Sequence, residues 1–311
     1  MADKKGARVK KSFRGSFRQK SLPRGKDRIP GKEGEIMTIA KRPVVTLAVT
    51  TPVLEALKMM VKEGFRRMPV VDPGTKKLLG IVTVTDVINY MGGGVKFQII
   101  QRKYNGNFYK AINEPIGSIM TSDVISIRTT AKIHEAMEVM KKHRIGGLPV
   151  TDENDRVIAI VTEQDIVRFF SEKIKGTKVA ELMSRDVVME SPETPIIDIE
   201  RKMIQKRFRR LPIVSDGKFI GMATIRSLLR FFGTNQVFRH LQSGNIDQVL
   251  QTPVIEVTMK EFPTINPEAD VSEAARLMQE KRRGSIPVLE NSMLVGIITE
   301  RDFFKIIDIN R

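Results

Sequence analysis

A short apolar run that ends in a Thr-x-x-Asp pattern recurs along the chain. The first copy, 80–86, reads Gly-Ile-Val-Thr-Val-Thr-Asp and leads into an amphipathic stretch. The copies at 159–165 and 296–302 keep the threonine and the aspartate, whereas the copy at 221–227 ends in Ser227. Short apolar runs bounded by polar residues predict buried strands, and the amphipathic stretches predict helices. The chain is therefore predicted to be a four-fold repeat of a strand-to-helix unit.

A second recurring segment, in which a proline lies among apolar residues, precedes each copy. These segments are Met68-Pro69-Val70, Leu148-Pro149-Val150, Leu211-Pro212-Ile213 and Ile286-Pro287-Val288. In the first repeat, a predicted strand at 44–47 and a helix that begins at Pro52 and ends at Gly64 come before this segment. The predicted unit is β-α-β-β-α and spans roughly 50 residues, which is too small to fold alone.

The predicted repeats occupy 40–92, 116–172, 178–233 and 249–308. The linker Ser243-Gly244-Asn245, between the third and fourth repeats, echoes Asn105-Gly106-Asn107, between the first and second. The higher-order unit is therefore a pair of repeats, and the pair is present twice. The fold class is α/β, built from small α+β repeats.

Composition bounds the chemistry of the chain. Its 311 residues include no cysteine, which excludes disulfides, zinc–thiolate sites and thiol catalysis. No run approaches the roughly 18 apolar residues of a membrane span. We therefore expect a cytoplasmic protein with no membrane contact.

The first 35 residues carry a net charge of +8 out of +17 for the whole chain. They have no hydrophobic period, so we expect a disordered basic tail at 1–35. Within it, Ser12-Phe13-Arg14 recurs as Ser16-Phe17-Arg18. Basic tails with interleaved aromatic residues bind nucleic acid through phosphates and base stacking. A solvated tail without a ligand is the alternative.

The repeated Thr-x-x-Asp pattern has two interpretations. One is a capping box, in which the motif only closes the start of a helix. The box prefers glutamate or glutamine at its last position, whereas this chain has Asp86, Asp165, Ser227 and Asp302. A short carboxylate at a helix start suits the two hydroxyls of a ribose, and the threonine would face a phosphate. The repeated, paired layout favours the second interpretation for Thr83, Thr162, Thr224 and Thr299.

The residues before each proline segment fall into two kinds. The second and fourth repeats have small pairs, Gly146-Gly147 and Gly284-Ser285, which admit a ligand close to the backbone. The first and third have Arg66-Arg67 and Arg209-Arg210, which suit phosphates. Neighbours in a strand point opposite ways, so we expect one arginine of each pair to be solvated.

These repeats resemble CBS domains, which pack in pairs as Bateman modules with two clefts between them. Four domains in one chain resemble the γ subunit of AMP-activated protein kinase and stand-alone archaeal proteins. The resemblance implies adenine-nucleotide ligands in the clefts, with the arginines reaching phosphates across the pseudo-dyad. The implied nucleotide-binding residues are Thr83, Asp86, Thr162, Asp165, Thr224, Thr299, Asp302, Arg66, Arg67, Arg209, Arg210, Gly147 and Ser285.

The copies are of unequal quality. The second and fourth match the pattern best, and the first is intact. The third has Ser227, so its ribose contact is missing. The kinase subunit carries His-Arg where this chain has Gly-Gly and Gly-Ser, so its choice among AMP, ADP and ATP does not transfer.

The leading hypothesis is a regulatory sensor of AMP, ADP or ATP that acts on a protein partner. Nucleic-acid binding through the tail and S-adenosylmethionine as the ligand are the alternatives. His134, His143 and His240 lie in predicted helices or at their ends without metal-ligand spacing, so we expect no metal site, no cofactor and no catalysis. Head-to-head pairing of the modules, within the chain or as a homodimer, follows from the resemblance.

Overall fold

The computed structural model describes residues 35–170 and 176–309. A 3₁₀ turn at Glu35–Thr38 opens this part of the chain. The first repeat follows with helix α1 at Val53–Glu63, strands β1 at Arg67–Val71 and β2 at Leu78–Thr83, and helix α2 at Val84–Ile88. As predicted, α1 begins after Pro52 and ends at Gly64, whose φ of 70° lies in the left-handed region.

The linker after the first repeat begins with a π-helical turn at Asn89–Gly93. It then forms α3 at Phe97–Tyr104 and α4 at Phe108–Ala111. The second repeat comprises a 3₁₀ turn at Ile116–Ser118, β3 at Ile127–Arg128, α5 at Ile133–His143, β4 at Gly147–Thr151, β5 at Val157–Thr162 and α6 at Glu163–Phe170.

The third and fourth repeats have the same order of elements. The third comprises α7 at Val179–Leu182, α8 at Ile196–Lys206, β6 at Arg210–Ser215, β7 at Lys218–Thr224 and α9 at Ile225–Gly233. A 3₁₀ turn at Val237–Arg239, α10 at Ile246–Leu250 and a 3₁₀ turn at Val254–Val257 follow. The fourth comprises α11 at Val271–Glu280, β8 at Ser285–Glu290, β9 at Met293–Thr299 and α12 at Phe303–Ile309.

Each proline segment forms a strand that pairs with the apolar run after it. All four hairpins are antiparallel, and each has a register shift at the same place, which in the first lies between Val70 and Val71. In each repeat, a segment before the helix that leads to the proline strand pairs parallel with that strand. These parallel pairs are Leu47–Val70, Ile127–Val150, Glu190–Ile213 and Ile265–Val288. The β-α-β-β-α unit is thus confirmed, although the predicted strand at 44–47 is reduced to one bridge, because Leu47 makes both of its backbone hydrogen bonds to β1.

Backbone bridges tie the repeats into two modules. Ile81 of the first repeat pairs with Thr121, which leads into the second, and Lys41, which leads into the first, pairs with Ile160 of the second. The third and fourth repeats exchange the same bridges, Met222–Met259 and Ser184–Ile297. This reciprocal exchange is the pseudo-symmetry of two Bateman modules, as predicted.

The two modules then pack through their helices. One apolar core joins the first repeat to the third, with α1 and α2 against α9, and it buries Leu57, Phe231 and Phe232. A second core joins the second repeat to the fourth, with α6 against α11 and α12, and it buries Met140 and Phe303. The four repeats thus meet around a common centre, where the termini of β1, β4, β6 and β8 bring their arginines and glycines together. No helix in the described ranges is long and apolar enough to cross a membrane.

Candidate functional site

The Thr-x-x-Asp motif of the first repeat forms a capping box at the start of α2. Asp86 Oδ2 accepts a hydrogen bond from the backbone N–H of Thr83 at 2.9 Å, and Thr83 Oγ1 accepts from the N–H of Asp86 at 3.2 Å. Aspartate therefore closes the box despite its shorter side chain. In the second and fourth copies, the aspartate likewise accepts from the threonine N–H, at 3.0 and 2.8 Å. The cap uses only one oxygen of each carboxylate.

A lysine holds the second oxygen in each intact copy. Lys96 Nζ lies 2.7 Å from Asp86 Oδ1, Lys41 Nζ lies 2.9 Å from Asp165 Oδ1, and Lys305 Nζ lies 3.0 Å from Asp302 Oδ1. Sequence reasoning missed these lysines, because two of the three lie outside the helix that they contact. Any ribose at these positions would share the carboxylate with an ammonium group.

The third copy has a neutral version of the same box. The backbone N–H of Thr224 donates to Ser227 Oγ at 3.0 Å, and the N–H of Ser227 donates to Thr224 Oγ1 at 2.9 Å. The capping role is kept, and the carboxylate is absent.

Arginines of the first and third repeats cross between the modules. Arg66 Nη1 lies 3.3 Å from Glu300 Oε2 in the fourth repeat, and Arg209 Nη2 lies 3.4 Å from Glu163 Oε2 in the second. Arg301 also binds Glu163, with its Nε 2.6 Å from Oε1. Burial raises the pKa of Glu163, but Arg209 and Arg301 outweigh this effect and keep the pKa below its usual value.

Sequence reasoning missed both glutamates, although the chain carries a signal for them. The residue after the motif threonine is Glu163 in the second copy and Glu300 in the fourth, where the other two copies have Val84 and Ile225. The acidic copies are therefore those that face the arginine pairs of the other module.

The remaining arginine of each pair stays inside its own module. Arg67 donates to the carbonyl oxygen of Gly146, and Arg210 donates to that of Gly284 at 2.8 Å. Burial, together with the positive charges of Arg66 and Arg209, lowers the pKa of Arg67 to about 9. The expectation that one arginine of each pair is solvated is wrong, because the neighbours point in different directions but both meet protein.

The small residues make room for these side chains. A Cβ at Gly147 would overlap Arg67 Nη1 and lie 2.7 Å from the carbonyl oxygen of Val161, and one at Gly284 would lie 2.7 Å from both Glu300 carboxylate oxygens. Ser285 is fully buried, and its hydroxyl has no hydrogen-bond partner among the described residues. Gly147 and Gly284 thus lie against protein side chains, and the prediction that small residues admit a ligand remains a prediction.

Three cavities lie beside the motifs. One of about 530 Å³ lies against Thr83 and Asp86 and is also lined by residues of the segment 121–125 and by His143. A second, of about 610 Å³, lies against Thr299, and a third, of about 670 Å³, joins Asp165 to Thr224.

Exposure separates the three aspartates. The side chain of Asp86 is 13% exposed, against 1% for Asp165 and 8% for Asp302. The first copy therefore presents its carboxylate most openly. The sequence-based ranking that favours the second and fourth copies is untested and remains a prediction.

The basic tail at 1–35, with its predicted nucleic-acid contacts, lies outside the described residues except for Glu35. There the carboxylate accepts from the backbone N–H of Ile133 at 3.4 Å.

The CBS domain family matches four stretches of the chain, at 34–93, 116–172, 179–233 and 254–309. Protein MJ1225 of Methanocaldococcus jannaschii is 34% identical over 87% of this chain and 98% of its own length. Its crystal structure, described as that of an archaeal homologue of the AMPK γ subunit, superposes with a TM-score of 0.84 over 88% of this chain and 99% of that one.

A 33.4 kDa protein in the ribosomal RNA operon of Thermofilum pendens is 30% identical over 84% of this chain and 86% of its own length. A conserved protein of Pyrococcus horikoshii shares the fold, with a TM-score of 0.56 at 21% identity over 87% of this chain and 98% of that one. The chain therefore belongs to the CBS domain family and carries four CBS domains arranged as two Bateman modules.

Proposed function

We propose that this protein is a regulatory sensor of adenine nucleotides, without catalytic activity of its own, and that the cleft of the first repeat is its principal site. The observation that carries the proposal is the combination of groups that line the 530 Å³ cavity. Asp86 and Thr83, apolar residues such as Ile81 and Ile125, and the guanidinium groups of Arg67 and Arg209 all line this cavity.

These three kinds of group match the three parts of a nucleotide. The carboxylate of Asp86 can accept hydrogen bonds from ribose hydroxyls, because only its Oδ2 is used in the cap. The apolar wall suits the base, and guanidinium groups suit the phosphate. The resemblance to the AMPK γ subunit implies the same class of ligand, and MJ1225, described as an archaeal homologue of that subunit, shares the fold of this chain.

Regulation would follow from the position of the arginines. Arg66 and Arg209 line the cavity and also form the ion pairs that cross between the modules. A phosphate that binds these guanidinium groups competes with Glu300 and Glu163 for them. Ligand binding therefore shifts the equilibrium between arrangements of the modules, and a protein partner that prefers one arrangement would respond.

Calorimetric titration with AMP, ADP and ATP tests the proposal directly. Asp86→Ala should weaken AMP binding about tenfold or more, since it removes charge-assisted hydrogen bonds. Ser227→Ala, at the equivalent position of the third copy, is the matched control and should leave AMP affinity unchanged. The proposal fails if the wild-type protein binds none of the three nucleotides, or if S-adenosylmethionine displaces AMP while phosphates do not.

A further inference from the structure

The cavity that joins the second and third repeats has an unusual charge. Ten of its lining residues are lysine or arginine and two are acidic. Its two acids are already matched, since Asp165 lies 2.9 Å from Lys41 and Glu63 lies 3.8 Å from Lys62. The volume of about 670 Å³ falls within the range of small-molecule sites. The excess positive charge therefore belongs to the cavity and is not neutralised by its own walls.

The excess is concentrated on arginines of the third and fourth repeats. Within the described ranges, five of the lining arginines form no ion pair with a carboxylate, namely Arg210, Arg226, Arg230, Arg282 and Arg283. Like charges gathered in one cavity repel each other, and a bound anion relieves that repulsion.

Three of these arginines interact with one another. Burial, and then the charge of Arg230, lowers the pKa of Arg283. Burial and the charges of Arg66, Arg283 and Arg230 likewise lower the pKa of Arg226. The Nε–H of Arg283 is buried with no hydrogen-bond partner among the described residues, while its guanidinium lies 5.1 Å from the centre of the Phe262 ring. An unused, buried donor beside two further arginines is suited to a multivalent anion.

The third repeat also lacks the group that would select a ribose. Ser227 stands where the other copies have aspartate, and its hydroxyl is used in the cap of α9. Thr224 and Ile225, at the first turn of that nine-residue helix, line the cavity. The positive end of a helix adds to the attraction for an anion. Phosphate chemistry is present on this wall, and ribose chemistry is absent from it.

We propose that these arginines of the third and fourth repeats form a binding site for a chain of three or more phosphates, which they recognise through its phosphate groups. Each added phosphate meets another guanidinium, so affinity rises with chain length. The chain could be a free oligophosphate, or it could be the phosphate tail of a nucleoside triphosphate whose ribose reaches Asp165 across the same cavity. The two cavities share Arg66 and Arg209, but the five arginines without an ion pair line only this one, so the site does not require Asp86.

The test uses sodium tripolyphosphate as the probe, titrated into the full chain by calorimetry, with orthophosphate for comparison. In the double variant Arg230→Gln with Arg283→Gln, affinity for tripolyphosphate should fall about tenfold or more, because two charge-assisted contacts are lost. The control removes the same charge outside the cavity, through Arg201→Gln with Arg276→Gln, and should bind like the wild type. Equal affinity in the two double variants would overturn the proposal, as would wild-type affinity no higher for tripolyphosphate than for orthophosphate.

Thermal unfolding of each variant checks that it is folded. Should the double variant unfold early, Arg230→Gln alone serves, because Arg230 is exposed and its replacement leaves the core intact. This single change should still weaken tripolyphosphate binding several-fold, and an unchanged affinity would contradict the site.

Two further arms identify the source of the phosphates. If a nucleotide supplies them, Asp165→Asn should lower the affinity for ATP and leave the affinity for tripolyphosphate unchanged. If a free oligophosphate supplies them, neither affinity should change. Displacement of tripolyphosphate by AMP as effectively as by ATP would overturn the proposal, since the site would then recognise the nucleoside. Asp86→Ala should leave tripolyphosphate affinity unchanged even where AMP binding is lost, which separates this proposal from the function proposed above.

Discussion

The guanidinium of Arg66, at the end of the first repeat's helix–strand turn, lies 3.3 Å from the carboxylate of Glu300 in the fourth repeat. The two side chains are 19% and 4% exposed, so the pair is largely withdrawn from water. Glu300 is the main reason that the pKa of Arg66 lies above its usual value. Its counterpart under the pseudo-symmetry, Arg209 with Glu163, joins the third repeat to the second. An ion pair therefore links the first repeat to the fourth, and another links the third repeat to the second.

Replacing Glu300 by glutamine should destabilise the protein. The change leaves Arg66 buried without its counter-charge, and breaking a buried pair from one side costs about 3 kcal/mol in the free energy of unfolding. Denaturant unfolding measures the loss. Glu280→Gln is the control, because its pair with Arg276 is 50% and 63% exposed and should contribute less than about 1 kcal/mol. Similar losses in the two variants would show that the pair of Arg66 and Glu300 contributes no more to stability than an exposed pair does.

The same variant should bind AMP more tightly. Phosphate and Glu300 compete for Arg66, so removal of the carboxylate frees the guanidinium for the ligand. Calorimetry of Glu300→Gln against the wild type measures the gain. A weaker affinity would mean that Glu300 orients Arg66 for the ligand and does not compete with it.

The repeat, its order of elements and the pairing of repeats follow from the sequence, since they depend on local patterns that recur four times. Pro52 and Gly64 bound the first helix because each acts within its own turn. The partners that the arginines bind depend on contacts between residues far apart in the chain, such as 66 and 300. Local periodicity carries no information on such contacts, so the glutamates were missed although their positions were visible in two of the four copies.

The Thr-x-x-Asp motif shows the same limit at a single residue. Two interpretations, cap and ribose contact, compete for Asp86 in the sequence. In the structure Oδ2 serves the cap and Oδ1 faces Lys96, so the cap is present and the ribose contact remains a prediction. Residue type and spacing could not separate them, because both need an acid at the start of the helix.

Gly147→Ala should destabilise the second repeat. The added methyl group would overlap Arg67 and press on the carbonyl oxygen of Val161, and overpacking of this kind costs about 1–3 kcal/mol. Gly74→Ala, in the turn between β1 and β2, is the control, because its nearest neighbour would be an aspartate oxygen at 3.5 Å. Denaturant unfolding compares the two. Equal stabilities would mean that Arg67 moves away freely.

The basic tail predicts binding of single-stranded RNA that weakens steeply with salt. Each phosphate contact lowers the logarithm of the affinity by about 0.7 per decade of salt. A truncation that begins at Glu35 keeps the contact with Ile133 and should abolish binding, as measured by fluorescence anisotropy. The variant Phe13→Ala with Phe17→Ala keeps every charge and separates stacking from electrostatics. If the affinity for RNA survives the truncation, the CBS domains and not the tail contact the RNA.

Glu200 makes the stability of the protein depend on pH. It lies on α8, fully buried against Gly92 and Gly93 of the linker, and neither carboxylate oxygen has a hydrogen-bond partner in the described ranges. Burial raises its pKa well above the usual value of 4.5. In the unfolded chain the group ionises near 4.5, so above that pH only the unfolded state gains the favourable charge. The free energy of unfolding should therefore fall as the pH rises from 4.5 toward the raised pKa.

Glu200→Gln removes this dependence. At pH 7.5 the variant should be more stable than the wild type by about 1–3 kcal/mol, because an amide has no charge to bury. At pH 4.5 and below, where the wild-type group is protonated in the folded protein, the two should unfold at nearly the same denaturant concentration. Glu193→Gln, on the exposed segment before α8, should shift neither value. Parallel pH profiles for Glu200→Gln and the wild type would show that the carboxylate is ionised and solvated in the folded protein. The contact of α8 with the first-repeat linker would then have to open to water.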